Sequence, residues 1–302
     1  MMETVQLNTS LPAMSRLIYG VWRLADDKNT TTEHVRAKID ACLEQGITTF
    51  DHADIYGEYQ CKALFGRALE EDPSLRDQMQ LISKCDIAIT TDKYLERRVK
   101  YYDTSPEYIR MSVENSLRNL HTDSLDLLLL HRPDPFMDAN ATGRVLDELI
   151  DEGKIKGAGV SNFKPWDWEL LQSQMEHTLV TNQIEISLLK QDAFTDGSLA
   201  HLQTLNLHAM AWSPLAGGRL FNDDDPAAAR VRPIMQRIAD EQSCDLDHVA
   251  VAWLLAHPSE ILPIVGTNNL DRIKTLSKAM DVSIDRQTWF ELLTAAAGEE
   301  VA

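Results

Sequence analysis

What the chain lacks narrows its possible roles. Its four cysteines, Cys42, Cys61, Cys85 and Cys244, stand apart with no C-x-x-C pair, so neither a disulfide framework nor a zinc site is expected and a reducing cytosol fits best. Basic charge is short: 29 lysines and arginines face 47 acids, a formal net charge of −18. Nucleic-acid binding and docking on anionic lipid both call for a basic face, so neither is expected. No apolar run approaches the length of a membrane span, and the N-terminus has no basic segment followed by an apolar core. The expected location is the cytoplasm. The G-x-G-x-x-G turn of a Rossmann sheet is also missing: Gly157-Ala158-Gly159 comes nearest, with Asn162 in the place of the third glycine. No low-complexity tract or Pro/Gly-rich linker marks a boundary, so residues 1–302 are read as one domain.

What is present is an ordinary globular composition, 44% hydrophobic and 25% charged, over 302 residues, a length that one barrel can use whole. Val5-Gln6-Leu7 and Arg16-Leu17-Ile18-Tyr19 flank a polar turn with Pro12, as in a short hairpin. Strand and helix patterns then alternate, with strands starting near 17, 47, 80, 125, 155, 180, 207 and 261. Helices are expected over Thr32–Gln45, Glu58–Leu69, from Ser105-Pro106 to Leu120, Gly143–Asp151, Trp166–Met175, Phe194–Leu205, Pro226–Glu241, Leu246–Ala256, Leu270–Met280 and Gln287–Ala296. Eight such units indicate an α/β fold, a (β/α)8 TIM barrel with an N-terminal hairpin and extra C-terminal helices. A long loop from Cys85 to Thr104 stands apart from the pattern, rich in lysine, arginine and tyrosine.

Functional residues of such a barrel sit where strands end. That rule selects Trp22, Asp51, Tyr56, Lys84, His131, Ser161, Asn162, Gln183, Trp212, Ser213 and Gly266 to Asn268. Asp51, Lys84 and His131 each directly follow an apolar run, where an unpaired charge is costly. Together with Tyr56 they are the parts of a general acid. A tyrosine has an ordinary pKa of about 10, and a nearby ammonium lowers it. Asp51 is expected to keep Lys84 charged, and His131 to aim a carbonyl oxygen at Tyr56.

These stretches resemble the aldo-keto reductase family. The matches are Gly20-Val21-Trp22, Asp51-His52-Ala53-Asp54-Ile55-Tyr56-Gly57, Ser83-Lys84, Leu130-His131, Gly159-Val160-Ser161-Asn162-Phe163, Asn182-Gln183, Trp212-Ser213-Pro214-Leu215, and Gly266-Thr267 with Arg272. The resemblance implies a metal-free, NADPH-dependent enzyme that reduces aldehydes or ketones, with Asp51, Tyr56, Lys84 and His131 as its catalytic residues and Tyr56 as proton donor. By the same mapping, Gly20, Val21, Trp22 and Asp51 border the cofactor. Ser161, Asn162 and Gln183 hold the nicotinamide carboxamide, and Trp212, where relatives often have tyrosine, lies against the ring. Ser213, Pro214, Leu215, Gly217 and Gly218 line the pyrophosphate; Arg219, after the glycine pair, is read either as a second phosphate contact or as a solvated surface arginine. Gly266, Thr267, Asn268 and Arg272 lie at the start of a helix, where phosphate is favoured, and Arg272 is placed to grip a 2′-phosphate. Many NADP-dependent relatives have lysine where Gly266 stands, so the cofactor preference is expected to be less strict. The short C-terminal end implies an open site for a small carbonyl substrate, and a monomer is favoured. Two other readings stay open: a Schiff-base aldolase using Lys84, and a cofactor-sensing partner subunit with little turnover.

Overall fold

The structure is a computed structural model and describes residues 2–301. Its centre is a closed barrel of eight parallel strands: β3 (Ile18–Gly20), β4 (Thr49–Asp51), β5 (Gln80–Cys85), β8 (Leu127–Leu130), β9 (Ala158–Ser161), β10 (Thr181–Glu185), β11 (His208–Trp212) and β12 (Leu262–Val265). Strand β9 pairs with β10 and β12 with β3, which leaves no free edge. This is the (β/α)8 barrel expected. An isolated parallel bridge between Leu125 and Ile155 extends the pairing of β8 and β9 backwards.

Successive side chains on a strand point to opposite faces, and this alternation sorts the barrel into an outer and an inner core. Phe50, Leu81, Cys85, Leu128, Leu130 and Val160 face outward into the helical ring. Ile18, Ile82, Leu127, Leu129, Met210, Leu262 and Ile264 fill the inside. Two residues further along the inward rows stand Asp51, after Thr49, then Lys84, His131 and Trp212, so the strand period itself carries polar groups onto one end of a packed apolar interior.

The ring consists of α1 (Thr32–Leu43), α2 (Cys61–Glu71), α3 (Pro106–Asn119), α4 (Ala139–Asp151), α5 (Pro165–Gln172), α6 (Ser198–Thr204), α7 (Pro226–Gln242), α8 (Leu246–Leu255) and α9 (Leu270–Ile273), with α10 (Arg286–Ala297) packed along α7. Helix α3 starts as expected: the Ser105 hydroxyl accepts from the Tyr108 N–H, and Pro106 occupies the first turn.

Four expectations are corrected. The N-terminal hairpin pairs β1 (Thr4–Val5) with β2 (Met14–Ser15), while the next apolar residues belong to β3. Between them Arg16 turns away to donate to the carbonyls of Leu255, Glu260 and Ile261. Helix α2 starts at Cys61 rather than Glu58, because Gly57, Glu58 and Tyr59 all have positive φ. The loop from 85 to 104 contains a small antiparallel sheet, β6 (Ile87–Ala88) with β7 (Tyr101–Tyr102). The helix expected over Leu270–Met280 is one turn, α9, followed by a 3₁₀ segment. Among the described residues, no helix is long and apolar enough to cross a membrane.

Candidate active site

Lys84 is fully buried, and its ammonium is enclosed by four acceptors. It reaches both Asp51 carboxylate oxygens at 2.7 Å, the His52 carbonyl at 2.9 Å and the Tyr56 hydroxyl at 2.9 Å. Tyr56 lies 3.4 Å from Asp51 Oδ2 and packs edge-on against His131, with ring centroids 6.1 Å apart. Backbone bonds hold the turn that carries Tyr56: His52 N–H donates to Ile82 O, and Asp54 N–H donates to Lys84 O. A buried ion pair of this kind survives only when its remaining hydrogen-bonding capacity is met, and Lys84 meets that condition. With no free electron pair on its amine and no exposure, Lys84 is poorly placed to attack a carbonyl as an aldolase lysine does.

The electrostatics overturn one expectation. Burial, followed by the charge of Asp51, pushes the Tyr56 phenol well above its ordinary value rather than below it. At the phenol, burial and then the charge of Asp51, 3.4 Å away and paired with Lys84, outweigh the Lys84 ammonium at 2.9 Å. Burial also lowers the Lys84 ammonium, against the pull of Asp51. His131 is driven well below the usual histidine range by burial and then by the charges of Lys84 and Arg132, so it is neutral at pH 7.

Beside this cluster a chain of hydrogen bonds links β11, β9, β10 and β4 and reaches the residue that follows β8. The Trp212 indole N–H donates to Asn162 Oδ1 at 3.0 Å, and Asn162 Nδ2 donates to Ser161 Oγ at 2.8 Å and toward the His131 carbonyl. Ser161 Oγ donates to Gln183 O, and Gln183 Nε2 donates to Asp51 Oδ1 at 2.9 Å. Asn162 holds φ 62°, a left-handed conformation that asparagine tolerates better than most residues. Of these residues, Asn162 and Trp212 border an opening of about 360 Å³ that also takes in Arg132, Lys164, Glu185 and Lys190. Lys164 pairs with Asp196 and Lys190 with Asp192, whereas Arg132 and Glu185 are in no ion pair among the described residues.

Farther round the rim lie Gly20 and the buried Val21, then Trp22, which is 54% exposed with the Arg23 guanidinium over its ring. Ser213 and Ala216 have positive φ, and Gly217 and Gly218 continue the turn in the region glycine prefers. Pro214 and Leu215 belong to the same segment. Arg219 is engaged with Asp225 through two nitrogens and is not a free cation. Gly266 lies so close to Gly20 that an added Cβ would come 3.0 Å from its carbonyl oxygen. Thr267 O accepts from Tyr19, and Asn268 has both ends of its amide occupied, by Lys38 and by the Arg23 carbonyl. Arg272 is in no ion pair among the described residues.

Sequence reasoning missed Lys38, buried beneath Asn268 and paired with Asp27, and Arg132. The signal for Lys38 was a lysine on the apolar face of α1, between Val35 and Cys42. For Arg132 it was the position directly after His131.

Comparison with known proteins agrees with this architecture. The chain is 52% identical to a 6-dehydroglucose reductase of Agrobacterium fabrum and 43% identical to the oxidoreductase YdhF of Escherichia coli, each alignment covering 100% of both chains. A solved glycerol dehydrogenase from Gluconobacter oxydans, 22% identical, superposes with a TM-score of 0.86 over 99% of this chain and 97% of its own, a likeness of fold. Residues 16–295 match the model described as "Aldo/keto reductase family", and the chain therefore belongs to that family of oxidoreductases.

Proposed function

We propose that the protein is an NADPH-dependent reductase of sugar aldehydes, with 6-dehydroglucose, a sugar carrying its carbonyl at carbon 6, as its preferred substrate. The single observation that carries the reaction class is the enclosure of Lys84 by Asp51 and Tyr56 beside His131 at the strand ends. The substrate class is supported by the name of the Agrobacterium relative and by the opening itself. Arg132 and Glu185, in no ion pair among the described residues, together with Asn162 and Ser198 suit a neutral polyol that both donates and accepts hydrogen bonds.

The nicotinamide cofactor, when bound, supplies hydride to the carbonyl carbon. The chain's own residues handle the proton. Tyr56, held neutral by its raised pKa, donates its hydroxyl hydrogen to the carbonyl oxygen. Lys84 already donates to the same phenolic oxygen, so the phenolate left behind has a charged partner in place. Asp51 fixes Lys84. His131 has Nδ1 sealed without a partner, which leaves Nε2 as the nitrogen that carries hydrogen toward the substrate oxygen. Trp212 and Asn162 border the opening and would meet a flat ring bearing an amide, with Ser161 and Gln183 buried behind them, and the glycine turn at 217–218 leaves room for a diphosphate. Arg272, in no ion pair among the described residues, is the grip for a 2′-phosphate, while Arg219 and the side chain of Asn268 are already engaged.

The test follows NADPH absorbance with 6-dehydroglucose beside simple aldehydes, ketones and dicarbonyls. The expected result is fastest turnover with the sugar aldehyde, and no turnover with any carbonyl overturns the reading. Arg272→Ala is expected to raise KM for NADPH by about tenfold and leave KM for NADH unchanged, because only the former has a phosphate for a guanidinium to bind.

A further inference from the structure

Behind the Tyr56–Lys84 contact lie two further charges, the buried Lys62 and the partly buried Asp54, to which the reaction gives no role. Lys62, from the first turn of α2, is 4% exposed and, among the described residues, has no carboxylate within ion-pair distance; its ammonium donates to Ser116 Oγ on α3. Asp54 accepts from Ser112 Oγ at 3.1 Å, also on α3, while its Oδ1 is sealed without a partner. The two opposite charges flank one small cavity of about 30 Å³, room for a water or two to bridge them. Asp54 is two residues before Tyr56, and its N–H is bonded to the carbonyl of Lys84. Whatever moves Asp54 therefore acts on both partners of the proposed proton donor.

We propose that Asp54 and Lys62 are a positioning pair that holds the Asp51–Tyr56 turn against Lys84 and sets the pH dependence of turnover. The proposal rests on the reductase reading given above and deepens it.

The surroundings support this assignment. Burial pushes the Asp54 carboxyl up to about 6, against the opposing pull of Lys62. Burial pulls the Lys62 ammonium down to about 8, against the pull of Asp54. Both groups are thus charged only between those values. Tyr56 and His131 titrate well outside that window, in opposite directions. The other groups facing the pair are His52 after β4, lowered by burial and then by Lys62 so that it titrates below the window, Lys84, Cys85 and Asp86 on and after β5, Tyr108 on α3, Tyr59 before α2, and Arg97, Lys93 and Tyr94 from the 85–104 segment. Of these, Asp86 is raised in the same direction as Asp54, so the test must separate the two.

The experiment is the pH profile of kcat for NADPH oxidation with the best aldehyde of the panel. The wild type is expected to give a bell with limbs near 6 and 8. Asp54→Asn, which mimics the protonated form, should lose the acid limb and run about tenfold slower at pH 7, the size of loss that a modest misplacement of a catalytic group brings. Lys62→Met should lose the alkaline limb. Two milder variants keep the test open if these fold poorly. Ser112→Ala removes a donor to the carboxylate and should move the acid limb up, and Ser116→Ala removes an acceptor from the ammonium and should move the alkaline limb down, each by about half a pH unit to one. The bell then narrows from both sides. A flat wild-type profile, an acid limb that survives Asp54→Asn and so passes to Asp86, or serine variants with unmoved limbs would overturn the pair's role while leaving the reductase reading intact. Absence of turnover with every carbonyl overturns both.

Discussion

At the scale of single residues, one hydroxyl decides the proposed chemistry. Tyr56→Phe keeps the ring that packs against His131 and removes only the hydroxyl. We expect kcat to fall by about 10²- to 10⁴-fold, the range for loss of a general acid, with NADPH affinity by calorimetry unchanged. Wild-type turnover in the variant would move the proton to another group. Asp51, Lys84 and His131 were legible because a charged or ionisable residue closing an apolar run has few stable explanations. The acidity of Tyr56 was misread for a related reason: composition places a lysine near a tyrosine, but only geometry says that two carboxylate oxygens at 2.7 Å meet that lysine first. Lys62 and Asp54 were illegible as a pair, because each is sited by a serine on α3, more than 50 residues away in sequence.

At the scale of elements, the eight strands begin within three residues of where the alternation placed them, since β-branched and leucine-rich runs between helix caps leave little freedom. The segments that departed from expectation are those fixed by contacts rather than by period. The 85–104 segment is tied down by Arg97, whose guanidinium stacks 3.7 Å over Tyr94 and donates to the Tyr59 hydroxyl. No window of sequence carries that pairing. The contact of α2 with α3, which positions Lys62 against Ser116, depends on Gly66: an added Cβ would come 1.8 Å from the Asn119 carbonyl oxygen. Backbone cannot yield as a flexible side chain can, so Gly66→Ala should destabilise the fold by at least about 1–3 kcal/mol. Urea unfolding measures this, and an unchanged midpoint would mean that the helices do not cross so closely.

For the whole molecule, the barrel has two ends with separate duties. The polar cluster occupies the C-terminal ends of the strands, while the β1–β2 hairpin brings Val5, Leu7, Leu11 and Met14 against the inward-facing Ile18, Ile82, Leu127 and Leu262. Leu11 meets the backbone of Gly157 just before β9, where an added Cβ would approach its side chain to 3.0 Å. The hairpin thus acts as a stopper: without it, an apolar interior that is closed sideways by hydrogen bonds would stand open to water at one end. Leu11→Ala should therefore cost about 2–5 kcal/mol of stability. Because Leu11 packs with the apolar inner layers and contacts neither Tyr56 nor Lys84, kcat and KM below the melting range should stay within about twofold of wild type, as for sites that share no partners. Urea unfolding and steady-state kinetics on the same preparation decide the matter. A variant that keeps its stability would show that the hairpin rests on the barrel without sealing it, and one that loses turnover while folded would show that the two ends are coupled through the inner core.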